Sequence, residues 1–299
     1  MYSELLSILP REQVKFDEPM KNHTTFRIGG PADVLAEPAS IDQLQKVLAC
    51  CRQAGYPCFI LGAGSNLLVR DGGIRGVVIK LGEKLQEVHI NDSEVYAQAG
   101  IRLSALARTV ASHSLSGLEF AEGIPGTLGG AIVMNAGAYG GEMKDVITTV
   151  TVVEPGGLIK TLPASELNFS YRSSSLQDSG DMVVAAVMAL QKDDPAAIQE
   201  RMRGFAELRK SKQPLKLPSA GSTFRRPPGY FVGPMLEQLN LKGYQVGGAQ
   251  ISTKHAGFIV NTGDAAAADV LGLIKEVQDR VKEAYGVELK PEIKVVGEG

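Results

Sequence analysis

The chain has 299 residues, of which 44% are hydrophobic and 21% charged, enough to bury a substantial core and to divide into two or three domains. Its 31 basic and 33 acidic side chains leave a formal charge of -2, without the basic excess that binding along nucleic-acid phosphates requires. No apolar run approaches the roughly 20 residues that cross a bilayer, and Met1-Tyr2-Ser3-Glu4 lacks the basic flank and apolar stretch of a signal peptide, so the cytoplasm is the expected compartment.

In chain order, apolar side chains at helical spacing predict a helix over 41–54, stopped by Gly55-Tyr56-Pro57. Cys58-Phe59-Ile60-Leu61 reads as a short buried strand, followed by a glycine loop and a second strand, Gly76–Leu81. The three cysteines, Cys50, Cys51 and Cys58, have no second pair at zinc-ligand spacing and read as buried thiols, with no metal expected. Leu85–Ile90 and Glu94–Ala99 flank a hairpin turn at Asn91-Asp92. A helix from Leu103 to His113 leads into a glycine-dense stretch, Gly123–Gly141, and strands follow at Thr148–Glu154 and Met182–Leu190. Asp194-Pro195 opens a charge-rich connecting helix over 195–210, and residues 214–299 carry further strand signals and a long helix, Ala265–Tyr285.

Two glycine loops carry the chemistry. Gly62-Ala63-Gly64-Ser65-Asn66 follows a strand, where its backbone N–H groups could converge on a phosphate, yet Leu67 replaces the third glycine of a dinucleotide fingerprint and a turn stands where the helix should run on. Gly123-Ile124-Pro125-Gly126-Thr127-Leu128-Gly129-Gly130 has no lysine followed by Ser or Thr, which excludes a nucleotide-triphosphate loop of the Walker type. With Asn135-Ala136-Gly137-Ala138, the second loop offers a row of unhindered amides. Two such loops in separate lobes suit an extended cofactor with a diphosphate between two ring systems, such as FAD.

These loops, with Asn22–Ala32, Tyr171-Arg172-Ser173-Ser174, Gly221-Ser222-Thr223-Phe224, Lys254-His255-Ala256-Gly257 and Pro291-Glu292-Ile293, resemble the UDP-N-acetylenolpyruvoylglucosamine reductases over about residues 22–296. The compact stretch after Ser222 is similar to the shorter, type II, subtype. The resemblance implies an α+β protein: a two-lobed FAD-binding fold of the vanillyl-alcohol oxidase-like (PCMH) type plus a C-terminal α+β substrate-binding domain. The lobes are expected at 1–83 and 84–196, the substrate domain at 197–289, and a segment returning to the active site at 290–299. It also implies NADPH-dependent, FAD-mediated reduction of UDP-N-acetylenolpyruvoylglucosamine to UDP-N-acetylmuramate in peptidoglycan precursor synthesis, by a monomer or weak oligomer. An FAD-dependent oxidase or dehydrogenase of the same superfamily is the alternative.

By the same resemblance, Arg27, Gly62, Ala63, Gly64, Ser65, Asn66, Gly123, Ile124, Pro125, Gly126, Thr127, Asn135, Gly137 and Ala138 are expected to contact FAD. Arg172 is the expected carboxylate-facing cation, Ser222 the proton donor to the carbanionic carbon, and Glu292 a carboxylate that positions or protonates the intermediate. The chemistry requires such a set: charge that develops next to a carboxylate needs a fixed cation, and the carbon needs an acid nearby. Tyr171, Lys212, Arg225, Arg226 and His255 are expected to contact substrate. Arg226 stands where the family commonly has asparagine, and Pro234 where it commonly has lysine, so the sequence leaves open which basic residues meet the diphosphate.

Overall fold

The structure, a computed structural model, describes residues 3–299. The chain forms two compact units: one of residues up to 15 with 34–63 and 76–209, the other of residues 16–33, 64–75 and 210–299. Among the described residues no helix is long and apolar enough to cross a membrane.

In the first unit, helix α1 (Ile41–Ala54) starts where the Ser40 hydroxyl accepts the Gln43 N–H at 3.1 Å and ends at Gly55, whose φ of 69° is the left-handed value that glycine adopts without a Cβ penalty. The strand Cys58–Leu61 then pairs in parallel with residues 77–80. Cys51 is buried and Cys50 half-buried, but Cys58, at the open end of its strand after Pro57, is exposed, contrary to the expectation of three buried thiols.

A five-stranded antiparallel sheet follows, ordered Ile159–Pro163, Ile147–Val153, Met182–Ala189, Glu94–Gln98, Val88–Asn91. Its edge hairpin pairs Asn91 with Glu94, so the turn residues are Asp92 and Ser93, one position beyond the turn expected from sequence. Helices α2 (Leu103–Ser112) and α3 (Leu128–Val133) place Leu103, Leu106, Val110, Leu128 and Ile132 in one core with Val95, Val150 and Met188 of the sheet. Helix α4 (Pro195–Lys212) begins with the Asp194 carboxylate accepting the Ala197 N–H at 3.0 Å, and its Arg201 bonds the buried Glu119 at 2.7 Å. Burial raises the Glu119 pKa, but hydrogen bonds from Arg201, the Gly117 N–H and Ser116 outweigh it and hold the group below its ordinary value.

The second unit is built on a four-stranded antiparallel sheet, ordered Ser219–Ser222, Phe258–Asn261, Ala249–Ile251, Gln245–Val246. Helices α5 (Val232–Gln238) and α6 (Ala267–Tyr285) supply Met235, Leu236, Val270, Leu273 and Val277 to its core. Residues far earlier in sequence complete it. Phe26 and Ile28 enter the same core, the Thr25 hydroxyl donates to Ser219 O at 2.7 Å, and the Asn261 amide donates to Phe26 O at 3.1 Å. A short parallel pair, Leu67–Val69 against Lys294–Val296, brings the chain's last strand beside the exit of the first glycine loop.

Asp71 closes this unit from a distance. Its two carboxylate oxygens accept the N–H groups of Ala267 and Ala268, at 2.8 and 3.0 Å, at the start of α6. Those N–H groups have no partner within the helix, and a carboxylate there also meets the positive end of the helix dipole. Asp71→Ala is therefore expected to lower stability by about 1–2 kcal/mol, and Asp71→Asn by less. Urea unfolding monitored by circular dichroism checks this; equal loss in the two variants would mean that the carboxylate charge contributes nothing.

Candidate active site

In the first unit the two glycine stretches meet. A Cβ on Gly62 would lie 2.5 Å from Thr127 Oγ1, so only glycine lets the first loop run against the second. Thr127 is buried and its segment is held in place: Leu103 N–H donates to Gly126 O at 3.0 Å, and Leu128 N–H to Ile101 O at 2.9 Å. Gly62, Ala63 and Thr127 edge a cavity of about 220 Å3 whose charged lining comprises Lys80, Lys84, Arg102, Glu37 and Glu83. Contrary to the reading of Gly123–Gly130 as an open row of amides, Gly129 and Gly130 lie within α3, while Gly123, Ile124, Pro125 and Gly126 remain in a loop.

That loop rests on Arg209, a residue that sequence reasoning passed over. Its guanidinium is 6% exposed and donates from Nε to Glu122 O at 2.9 Å and from Nη2 to Phe120 O at 3.2 Å. A Cβ at Gly123 would come within 2.9 Å of the Arg209 side chain. Burial pushes the Arg209 pKa down, although a guanidinium stays charged. Tyr139 lies under it at 5.0 Å and stacks on Phe205 at 4.8 Å, nearly parallel.

Tyr139 and Gly140, with φ of 52° and 91°, form the two-residue turn that joins Gly137-Ala138 to Gly141-Glu142. Asn135 is fully buried; its amide nitrogen donates to Glu142 Oε2 at 2.7 Å and Ser170 O at 3.0 Å, and its oxygen accepts the Lys144 N–H. Its side chain is thereby engaged by the protein, as is its N–H, which donates to Ile132 O at 3.0 Å. Arg172 has a left-handed φ of 54°, donates from Nη2 to Gly137 O at 2.8 Å and lies 5.1 Å from the centre of the exposed Tyr171 ring. The structure thus joins Asn135, Gly137, Tyr171 and Arg172 in one patch.

In the second unit, Gly64, Ser65 and Asn66 finish the first loop. Gly64 has φ 62°, and a Cβ there would strike His23 O at 2.2 Å. Asn66 is tied to the C-terminal segment, its amide donating to Glu292 O at 3.2 Å while its carbonyl accepts the Lys294 N–H at 3.0 Å. Glu292 N–H donates in turn to Thr223 O at 2.8 Å, and Phe224 bridges Pro291. Ser222, exposed at the end of its strand after Gly221 (φ 79°), thereby stands one residue from the carbonyl to which Glu292 is bonded.

His255 borders the same strand pair. Its Nδ1 accepts the Gly257 N–H at 3.1 Å, which places the proton of the neutral ring on Nε2, and its ring meets Phe258 edge-on at 5.0 Å. Burial holds its pKa below the ordinary histidine value. Arg27, exposed with φ 55°, sits between the buried Phe26 and Ile28. The Arg226 guanidinium lies 3.7 Å from the centre of the Phe231 ring, the Arg225 N–H donates to Lys290 O, and Lys212 is exposed at the end of α4. No contact joins Lys212 to Arg225 or Arg226. Among the described residues no cluster of His, Cys, Asp and Glu is placed to hold a metal ion.

Residues 32–163 match the model of an FAD binding domain, and residues 213–296 that of the UDP-N-acetylenolpyruvoylglucosamine reductase C-terminal domain. The UDP-N-acetylenolpyruvoylglucosamine reductase of Syntrophomonas wolfei is 54% identical over 298 residues, covering 100% of both chains, and that of Caldanaerobacter subterraneus is 52% identical, covering 100% of this chain and 98% of its own. The chain belongs to the UDP-N-acetylenolpyruvoylglucosamine reductase family. A solved reductase of this family, from Thermus caldophilus, superposes with a TM-score of 0.81 at 37% identity, covering 93% of this chain and 97% of that one. An alkyldihydroxyacetonephosphate synthase shares the fold alone, with a TM-score of 0.50 at 18% identity over 64% of this chain and 41% of its own. The reductase thus has the α+β architecture expected from its motifs, an FAD-binding fold followed by a C-terminal α+β domain. Its residues fit FAD: Gly62 and Ala63 of the first loop and Thr127 of the second border a cavity that carries Lys80, Lys84 and Arg102, cations of the kind a diphosphate dinucleotide requires.

Two outcomes test this geometry. Arg209→Met leaves the carbonyls of Phe120 and Glu122 without their donor and is expected to cost about 1–3 kcal/mol in chemical denaturation; Arg209→Lys should recover only part, because an ammonium cannot reproduce the planar fork. For His255 the native state favours the neutral ring. Its contribution to stability is full above the ordinary value near 6.5 and is lost as pH falls towards the depressed native value. His255→Gln should flatten that decline, measured as urea midpoints at neutral pH and at about one unit below 6.5.

Proposed function

We propose that this chain reduces UDP-N-acetylenolpyruvoylglucosamine to UDP-N-acetylmuramate with electrons from NADPH, and that Arg172, Ser222 and Glu292 carry the chemistry. Bound FAD, held by the two glycine loops, supplies the hydride relay between NADPH and the enol ether. What the chain itself must do is dictated by the charge left when hydride reaches the methylene carbon: the neighbouring carbon becomes carbanionic and delocalises into its carboxylate. Arg172 offers that carboxylate a permanently charged fork, oriented by its bond to Gly137 O. Ser222 Oγ delivers the proton to the carbanionic carbon. Glu292 orients substrate or water at the same centre.

The observation that supports this reading best is the joining of Ser222-Thr223-Phe224 to Pro291-Glu292. Glu292 N–H donates to Thr223 O at 2.8 Å, which fixes an exposed hydroxyl and a half-buried carboxyl on adjacent backbone segments of one unit. Two residues separated by seventy positions in sequence have no reason to be laced in this way unless both serve one site or one fold, and both match the family's motifs. Arg226, stacked on Phe231, supplies a diphosphate-facing cation in a chain where position 234 is proline. His255 and Tyr171 complete the substrate-facing set. The division into lobes at 83 and 196, the monomeric or weakly associated state and the cytoplasmic location belong to the same proposal; the pools of NADPH and nucleotide sugar that the reaction consumes are those of the cytoplasm.

The experiment separates the two half-reactions. Ser222→Ala is expected to leave flavin reduction by NADPH nearly unchanged and to slow flavin reoxidation by the enol ether by about 10²–10⁴-fold, followed anaerobically by stopped-flow absorbance. Equal slowing of both halves would remove Ser222 from the role of proton donor.

A further inference from the structure

We propose that Cys58 and Cys51 form a peroxide-reactive dithiol site, in which Cys58 takes the oxidising equivalent from a hydroperoxide and Cys51 resolves it as an intramolecular disulfide. The site lies in the first unit and uses none of the residues assigned to flavin or substrate.

The two cysteines stand at either end of one tight connection. Cys51 is in the last turn of α1, Gly55 ends that helix, and Cys58 is the first residue of the strand Cys58–Leu61. The connection is pinned at its ends: Tyr56 N–H donates to Cys51 O at 2.8 Å, and Val77 N–H to Pro57 O at 2.8 Å. The thiols meet from these anchored backbones, and the Cys51 S–H donates to the Cys58 sulfur. A disulfide requires the sulfurs to close from hydrogen-bond separation to about 2.0 Å. Residues 52–55 and 57 are exposed, and a Cβ on Gly55 would meet nothing within 4 Å, so the turn can yield to that closure without disturbing the core.

The three thiols are not equivalent. The hydrogen bond from Cys51 holds the Cys58 pKa below the ordinary thiol value, against partial desolvation of its sulfur, and Cys58 is exposed. The thiolate is the form that attacks a peroxide. On ionising, Cys58 gives up only a long contact of its own S–H with Tyr56 O, at 3.8 Å, and keeps Cys51 as donor. Cys51 is the converse: it is buried, and the proton it shares with Cys58, together with burial, pushes its pKa far up. It cannot start the reaction, but its proton already points at the sulfur from which a hydroxyl must leave. Cys50 lines a surface cavity of about 490 Å3 with Glu4 and Lys46 and is accessible. Burial, the Glu4 carboxylate and Cys58 nevertheless push its pKa up, so it stays a protonated thiol.

The chemistry balances in two steps. The Cys58 sulfur attacks one peroxide oxygen, the O–O bond breaks, and a first water (or alcohol, from an organic hydroperoxide) leaves with Cys58 as its sulfenic acid. The Cys51 sulfur then attacks the Cys58 sulfur, the S–O bond breaks, and the hydroxyl leaves as a second water with the Cys51 proton. The two thiols together lose two electrons, which the peroxide gains, and an external thiol reductant reverses the step by exchange.

The test treats the reduced, desalted holoenzyme with hydrogen peroxide, counts free thiols after unfolding and locates the modified residues by peptide mass spectrometry. The wild type should fall from three free thiols to one, with residues 51 and 58 crosslinked, and dithiothreitol should restore all three. Trypsin separates the pair by cutting after Arg52, and Cys50→Ser, which leaves Cys51 as the one thiol on its peptide, should give the same crosslink at the same rate. Cys51→Ala should stop the reaction at a sulfenic acid on Cys58 that dimedone traps, while Cys58→Ser should leave Cys50 and Cys51 as thiols. In the wild type Cys58 should be consumed at least about tenfold faster than Cys50. Three thiols unchanged by peroxide, oxidation of Cys50 as fast as Cys58, or loss of the crosslink in Cys50→Ser would each overturn the inference.

Discussion

A parallel pairing of three residues, Leu67–Val69 with Lys294–Val296, governs the geometry of the second unit's part of the site. It carries the chain's last strand to the exit of the first glycine loop, so that Asn66 can grip the backbone on both sides of Ile293 through Glu292 O and the Lys294 N–H. Glu292 is then held between Asn66 on one side and Thr223 on the other, by main-chain atoms in each case. The N-terminal segment reinforces the same sheet through Thr25 and Asn261, which explains why residues near position 26 belong with residues near position 220 rather than with their neighbours in sequence.

What was legible in the sequence followed physical signal strength. Helix α1 could be read to the residue because a serine cap, an apolar stripe and a terminal glycine coincide; the strands around 150 and 185 could be read from their runs of Val, Ile and Ala. Helix α3 could not, because it is six residues long and holds two glycines in a stretch dominated by loop residues. The strand Ser219–Ser222 has no β-branched or aromatic residue at all, and its conformation comes from pairing with Phe258–Asn261. Arg209 was invisible for a different reason. It is one of several basic residues on a charge-rich helix, and nothing in composition separates the one that burial selects from Arg201, Arg203 and Lys210, which α4 also carries.

The site residues themselves were readable as motifs but not as geometry. Among the described residues nine non-glycine residues have left-handed φ; three of them, Arg27, Asn135 and Arg172, fall within the segments that carry the family resemblance, and a fourth, Tyr139, directly follows one. Such conformations cost of order 1–3 kcal/mol each and persist where surrounding contacts over-determine them. At Asn135 the amide's three hydrogen bonds do so; at Tyr139 the Phe205 stack and the Arg209 cation do so; at Arg172 the bond to Gly137 O contributes. The glycine stretches and these four residues are the same device in two forms, a backbone conformation fixed by its surroundings.

Arg209 shows how that device is powered. A buried guanidinium with carbonyl hydrogen-bond partners retains its charge, which Tyr139 and the Glu122 carboxylate favour and Arg172, to a smaller extent, opposes. Arg209 therefore acts on the site through the backbone: its two carbonyl bonds hold the turn that leads into Gly123, and its cation lies against Tyr139, the residue that turns the chain between Gly137-Ala138 and Gly141-Glu142.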